Sequence, residues 1–136
     1  MTFKWRDSYS VHNTEIDAEH QHLFSLINHF SEARDTITKT ESSLRLIQYT
    51  REHFAHEESL MREIAYPAIA AHVEQHSHLL DRMLDLGDQV SKDLIHSSEL
   101  KTALASWLVG HIVTFDATLF TYVNHKEEHA SSQGPA

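Results

Sequence analysis

The chain has 136 residues, of which 11 are basic and 20 acidic, so we expect one domain with a formal net charge of −9. That charge disfavours nucleic acid and anionic membranes as partners, and the lack of cysteine excludes disulfides, thiolate zinc sites and iron–sulfur clusters. The 3 glycines and 2 prolines are too few for the frequent turns of a β-sandwich or barrel.

The first predicted element is an N-terminal arm over residues 1–16, where no hydrophobic periodicity is visible. The arm lacks the apolar core that a secretory signal peptide requires. No apolar run in the chain approaches the roughly 20 residues of a transmembrane helix. We therefore expect a cytoplasmic protein without membrane insertion.

Four segments with apolar residues at helical spacing follow the arm. The first covers about residues 17–37. A capping-box pattern at residues 38–41 opens the second, which runs to about Ile64. The third begins near Pro67, because the residue before a proline disfavours helix. A cap at residues 97–99 opens the fourth.

Short connections between these segments place sequential helices as antiparallel neighbours. The predicted fold class is all-α: an up-down-up-down antiparallel four-helix bundle over residues 17–129, preceded by the N-terminal arm. The small and polar residues 130–136 predict a disordered tail. The pattern indicates no internal repeat and no second domain.

Histidine is unusually frequent, with 13 copies in the chain. On the predicted helices, five imidazoles and two carboxylates fall on the apolar, inward faces. Two pairs among them have i, i+4 spacing, by which one helix face presents two side chains to one centre. The inward residues are His20, His53, Glu57, His72, His76, His111 and Asp116.

These seven residues favour a buried metal cluster over ordinary core histidines. One inward histidine alone is more often a hydrogen-bonded core residue than a ligand. Burying two carboxylates and five imidazoles without compensation would cost several kcal/mol per charge, against a net stability of about 5–15 kcal/mol. Seven ligands exceed a tetrahedral zinc site, so the count favours two metals sharing the carboxylates. Imidazole and carboxylate without sulfur suit iron better than zinc or copper.

The other histidines are assigned to different surroundings. His22 and His78 fall on the outer faces of their helices, whereas His56 lies nearer the inward stripe. Residues 125–129 match the His-x-x-Glu-His pattern of a zinc peptidase group. That match lies at the end of the fourth helix without a third ligand nearby, so we expect no peptidase activity.

Together these motifs resemble those of the hemerythrin family in its single-domain bacterial form, from Trp5 to about Tyr122. The resemblance implies a four-helix bundle with a non-haem di-iron centre that binds dioxygen reversibly. The segments that carry it are Ile16-Asp17-Ala18-Glu19-His20 with Leu23-Phe24, His53-Phe54-Ala55-His56-Glu57-Glu58-Ser59-Leu60-Met61, Tyr66-Pro67, His72-x-x-x-His76, and Trp107-Leu108-Val109-Gly110-His111-Ile112 with Asp116.

The resemblance also implies two iron ions per chain, in the Fe2+ or Fe3+ state and bridged by an oxo or hydroxo group. One iron would be bound by His72, His76 and His111. The other, with one coordination position open, would be bound by His20 and His53. The bridging carboxylates would be Glu57 and Asp116.

An oxygen pocket is implied as well, and it must be dry, because water and protons promote loss of the oxygenated state. By resemblance Trp107, Leu108 and Ile112 line this pocket, and Trp5 covers one end of the site. We expect a non-enzymatic role in oxygen transport, storage or delivery, with dioxygen as ligand and an oxygen-consuming enzyme as a candidate partner. An oxygen or redox sensor, a peroxide- or oxygen-reducing di-iron enzyme, and iron storage are the alternatives.

Overall fold

The computed structural model describes residues 2–132, and describes side chains there except at Ser97 and residues 128–132. Four long helices make up this part of the chain. Helix α1 spans Thr14–Glu32, α2 spans Thr36–Glu63 and α3 spans Ile69–Ser91. The fourth long helix consists of α4 (Ser97–His111), a π-helical turn (Ile112–Asp116) and α5 (Ala117–Ser132).

The helices enclose one core, in which α1 packs against α2 and α4, and α3 packs against α2 and α4. The predicted all-α class and four-helix bundle are confirmed. Helix α5 continues to Ser132, and residues 133–136 lie outside the described part, so the predicted tail over 130–136 stays a prediction. The predicted bounds of the arm and the bundle remain predictions too.

The arm is held against α1 by hydrogen bonds and aromatic contacts. Asp17 accepts hydrogen bonds from residues 10–11, at 2.6 Å from a hydroxyl and 2.9 Å from a backbone N–H. Asn28 exchanges two hydrogen bonds of 2.7 Å with the backbone of Phe3. The rings of Phe3 and Phe24 lie 4.0 Å apart. The arm thus packs along the helix that carries His20.

The boundary between α1 and α2 differs from the prediction. Asp35 caps α2, because its carboxylate accepts hydrogen bonds from both the backbone N–H and the hydroxyl of Thr38, each at 2.8 Å. Helix α2 therefore begins at Thr36, before the predicted capping box. Ile37, the last residue of the first predicted helix, lies in the first turn of α2 and is 73% exposed. Hydrophobic spacing alone gave the wrong boundary there, because the aspartate cap determines where α2 begins.

Glycine at position 87 allows α2 and α3 to approach closely. A Cβ atom there would lie 2.9 Å from Ser43 Oγ, closer than real side chains come. Gly87 does not end the helix, because α3 continues through it to Ser91. The glycine therefore acts on helix packing, which places the buried residues of α3 beside those of α2.

One helical stretch, Ser98–Glu127, is long and apolar enough to cross a membrane by length and composition, with a mean hydropathy of 1.4. This stretch differs from the expectation that no apolar run approaches transmembrane length. Core helices of soluble proteins pass the same criterion, and this stretch carries the buried ionisable residues His111 and Asp116. It is therefore weak evidence for a membrane span.

Candidate metal centre

All four long helices contribute to one buried polar cluster. Helix α1 supplies one histidine, α2 a histidine and a glutamate, α3 two histidines, and the fourth helix a histidine and an aspartate. Every one of these residues is at most 2% exposed. The cluster comprises the seven residues that the sequence analysis singled out: His20, His53, Glu57, His72, His76, His111 and Asp116.

The cluster divides into two donor sets that share both carboxylates. In each set the candidate ligand atoms lie within 4.8 Å of one another. Glu57 and Asp116 belong to both sets. One set adds His72, His76 and His111. The other set adds His20 and His53. The division into three and two imidazoles therefore emerges from the geometry as well as from the motif.

Glu57 directs one carboxylate oxygen to each set. Its Oε1 lies 3.2 Å from the Nε2 atom of His72 and 3.1 Å from that of His76. Its Oε2 lies 3.1 Å from the Nε2 atom of His53 and 3.7 Å from that of His20. A carboxylate placed in this way can bridge two cations with one oxygen on each.

Asp116 repeats this arrangement from the opposite helix. Its Oδ1 lies 3.1 Å from the Nε2 atoms of both His72 and His111, whereas its Oδ2 lies 3.0 Å from Nε2 of His20. Both carboxylates thus lie between the same two sets of imidazoles, with one oxygen toward each set. The side chains are therefore arranged for two cations rather than one.

The π-helical turn brings His111 and Asp116 to the same face. Residues five apart on a regular α-helix diverge by about 140°, because each residue turns by about 100°. Here the Ala117 N–H bonds to the carbonyl of Ile112, five residues back, which widens the turn. The inward position of Asp116 was predicted from regular helical spacing, and the π-helical turn was not.

Buried atoms of the cluster lack hydrogen-bond partners among the described residues. They include both ring nitrogens of His20 and His111, Nε2 of His53, one oxygen of Glu57 and both oxygens of Asp116. A polar atom left without a partner in a protein interior is costly. Cations bound to these nitrogens and oxygens would satisfy them, so the residues fit the metal centre that the sequence predicts.

The pKa values show that the two bridging carboxylates favour positive charge on the imidazoles around them. Burial lowers the pKa of His53, but the adjacent carboxylates of Glu19 and Glu57 outweigh it and raise that pKa to about 10. Burial likewise lowers the pKa of His72, but the carboxylates of Asp116 and Glu57 outweigh this effect and raise that pKa to about 9. Burial raises the pKa of Glu57, yet the surrounding imidazoles hold it well below its usual range. The carboxylates thus stay ionised and attract either protons or metal cations.

Two carboxylates outside the predicted set orient the imidazoles from behind. Glu19 accepts a hydrogen bond from Nδ1 of His53 at 2.7 Å, and Glu58 accepts one from Nδ1 of His76 at 2.9 Å. Such partners hold the proton on Nδ1 and leave the Nε2 lone pair free for a metal. Neither role was predicted from the sequence, although Glu19 and Glu58 each adjoin a predicted ligand in the chain.

The predicted pocket residues occupy two environments. Ile112 is fully buried and Leu108 is 3% exposed, whereas Trp107 is partly buried and lies 5.5 Å from the guanidinium of Arg82. Trp5 packs against Phe24, with ring centres 5.4 Å apart. Whether Leu108, Ile112 and Trp107 line an oxygen pocket stays a prediction.

Two phenylalanine rings that the sequence analysis did not single out for the site pack directly against predicted ligands. Phe54 stacks on His76 with centroids 3.7 Å apart and an interplanar angle of 3°. Phe115 lies parallel to His111 at 5.6 Å, with an angle of 12°. These apolar rings restrict rotation of the two imidazoles and limit access of water to them.

The other histidines whose side chains the structure describes lie outside the buried cluster. His78 has a side chain 63% exposed, and His22 is exposed against the ring of Tyr49. His56 is partly exposed and contacts Glu19. The side chains of residues 128–129, which complete the His-x-x-Glu-His pattern, lie outside the described part of the chain.

The family profile of the hemerythrin HHE cation binding domain matches residues 11–123. The chain belongs to the hemerythrin family. It is 34% identical over 113 residues to a bacteriohemerythrin of Stenotrophomonas maltophilia, covering 79% of this chain and 72% of the relative. A bacteriohemerythrin of Pseudomonas aeruginosa is 31% identical over 126 residues, covering 89% and 81%. The resemblance stated from the motifs is thereby confirmed.

Solved structures support the fold of this hemerythrin-family chain. A crystal structure of wild-type hemerythrin superposes with a TM-score of 0.77 at 22% identity, covering 87% of this chain and 95% of that one. Membership of the family implies a di-iron protein that binds oxygen. The buried cluster of histidine, glutamate and aspartate is able to hold metal.

Proposed function

We propose that this protein binds dioxygen reversibly at a non-haem di-iron centre and serves in oxygen transport, storage or delivery, without catalysing a reaction. The observation that carries the proposal is the pair of carboxylates, each with one oxygen toward three imidazoles and the other toward two. That arrangement supports two cations, one with three imidazole ligands and one with two. We further propose that it operates in the cytoplasm and passes oxygen to an oxygen-consuming enzyme.

The proposed ligands follow the two donor sets. His72, His76 and His111 would hold one iron. His20 and His53 would hold the other. Glu57 and Asp116, which belong to both donor sets, would contribute to both irons together with an oxo or hydroxo group. When bound, iron would supply the electrons for reversible oxygen binding by changing between Fe2+ and Fe3+. The donor set with two imidazoles offers fewer protein ligands than the other, so dioxygen would be accommodated on that side.

The surrounding residues would maintain this reversibility. Glu19 and Glu58 hold two ligand imidazoles in one orientation and one tautomer. Phe54 packs against the ring of His76, and Phe115 packs against the ring of His111. In the proposed pocket, buried Ile112 keeps water from the open coordination position. A dry pocket delays proton-driven loss of bound oxygen.

The test is a visible spectrum of dithionite-reduced protein cycled between anaerobic and aerated buffer, together with elemental analysis. We expect two irons per chain and a spectrum that returns to the reduced form on deoxygenation. One metal per chain, or full zinc occupancy after growth in iron-replete medium, would contradict the di-iron centre. Continuous oxygen consumption with turnover would contradict the carrier function and indicate an enzyme instead.

A further inference from the structure

A second group of metal-binding side chains lies at the surface, where α1 meets α2. Glu15 and Glu19 are one turn apart on α1, and His56 approaches them from α2. One ligand atom from each residue lies within 4.8 Å of the others. The three side chains are 75%, 18% and 41% exposed, respectively. Among the metal-capable clusters of the described residues, this is the one that faces solvent.

The donor set suits a borderline divalent cation. Nδ1 of His56 lies 2.8 Å from Oε2 of Glu19, and its Nε2 lies 3.8 Å from Oε1 of Glu15. One imidazole and two carboxylates are donors that Zn2+ and Fe2+ accept, with water completing the shell. Glu15 is largely exposed and free to rotate, so it can move onto an ion held by the other two.

Glu19 connects this surface group to the buried cluster. One of its oxygens contacts His56, while the other accepts the hydrogen bond from Nδ1 of His53. An ion on its outer oxygen is thus separated from the predicted ligand His53 by a single carboxylate.

We propose that Glu15, Glu19 and His56 form a solvent-facing site for a divalent cation, and that ferrous iron reaches the buried centre through it. The second part rests on the proposed function. The seven inner residues are at most 2% exposed, so iron has to meet a donor nearer solvent before it reaches them. This group provides such donors beside His53.

Binding is tested with Zn2+ on the iron-loaded protein, by isothermal titration and by elemental analysis after equilibrium dialysis. The main variant is Glu15→Gln, because this exposed side chain lies outside the buried cluster. His56→Ala is the second variant. The control is His78→Ala, which removes an exposed histidine whose paired carboxylate, on Glu74, lies 3.6 Å away.

We expect one zinc site in the wild type and in His78→Ala. In Glu15→Gln and His56→Ala we expect zinc affinity to fall by at least about 10-fold, the loss that removal of even a supporting partner causes. Equal isotherms for all four proteins, or no zinc bound by the wild type, would overturn the surface site.

The entry role is tested by the time course of Fe2+ uptake after iron is stripped with a chelator. We expect Glu15→Gln to load more slowly than the wild type and to reach the same two irons per chain. Wild-type loading by a variant that no longer binds zinc would overturn the entry role. If the wild type itself never holds two irons, the proposed di-iron function fails, and the zinc titration still decides on the surface site.

Discussion

Replacing His76 by alanine tests whether the buried cluster is a metal centre or only a hydrogen-bonded core. His76 is 1% exposed, and its Nε2 lies 3.1 Å from Glu57. Its Nδ1 donates to Glu58 at 2.9 Å, and its ring stacks on Phe54 at 3.7 Å. The substitution therefore removes a predicted ligand, a buried hydrogen-bonding group and a packed ring together. We expect loss of iron and a less stable fold.

The size of the destabilisation follows from these contacts. Emptying a buried site of this kind costs about 2–5 kcal/mol, and leaving Glu57 with one partner fewer adds about 1–3 kcal/mol. A domain of this size loses about 3–5 °C of melting temperature per kcal/mol. His76→Ala should thus melt at least about 10 °C below the wild type.

Two control variants separate metal binding from packing and from histidine loss. His78→Ala removes a side chain that is 63% exposed, so its stability should change by less than about 0.5 kcal/mol. Leu79→Ala empties a site that is 3% exposed on the same helix, and should cost about 2–5 kcal/mol while keeping both irons. Iron is measured by elemental analysis and stability by thermal unfolding.

The reasoning would be refuted by either of two results. If His76→Ala kept two irons per chain, His76 would be a core histidine rather than a ligand. If His76→Ala and His78→Ala had equal effects on iron and on melting temperature, the placement of His76 in the cluster would be wrong, because the structure gives the two residues opposite exposures.

Three further predictions concern the surroundings of the centre. Glu58→Gln should keep the fold but lower iron affinity about 10–100-fold, because the charged acceptor behind His76 is lost. Chelator competition measures this affinity, and an unchanged value would show that Glu58 does not orient His76. Ile112→Gln should retain both irons and autoxidise faster, because it brings a hydrogen-bonding group into a fully buried position. Spectra recorded over hours measure the autoxidation rate, and a wild-type rate would show that Ile112 does not line the oxygen pocket. The pKa of His53 in the iron-free fold, about 10 against 6.5 unfolded, contributes stability that is complete below pH 6.5 and lost as pH rises through 10. Urea midpoints of iron-free protein should therefore fall between pH 6.5 and 10, and a flat profile would contradict the assignment.

Local patterning was enough to predict the bundle and the inward-facing residues. Helical periodicity repeats every 3.6 residues, so a histidine's distance from its apolar neighbours determines which face it occupies. That is why His20, His72 and His76 were placed inward and His78 outward before any contact was known. The same local chemistry misplaced the start of α2, because Asp35 competed with a second cap pattern only a few residues away.

Contacts between helices could not be predicted in this way. The approach of Asp116 to His20 within 3.0 Å depends on how two helices are rotated about their axes. The π-helical turn that ends at Asp116 widens the helix by shifting one hydrogen bond, and no residue type in the sequence predicts that shift. The hydrogen bond from His53 to Glu19 joins residues 34 positions apart.

The sequence by itself therefore determined the fold class, the family resemblance and the seven inward residues, because these depend on residue type and helical spacing. Only the tertiary structure decided how the carboxylates divide their oxygens between two imidazole sets, since that requires the rotation of each helix. It likewise decided that Glu19 stands between His53 and the surface residue His56. Helix packing determines such contacts, because side chains from different helices meet only when the bundle closes.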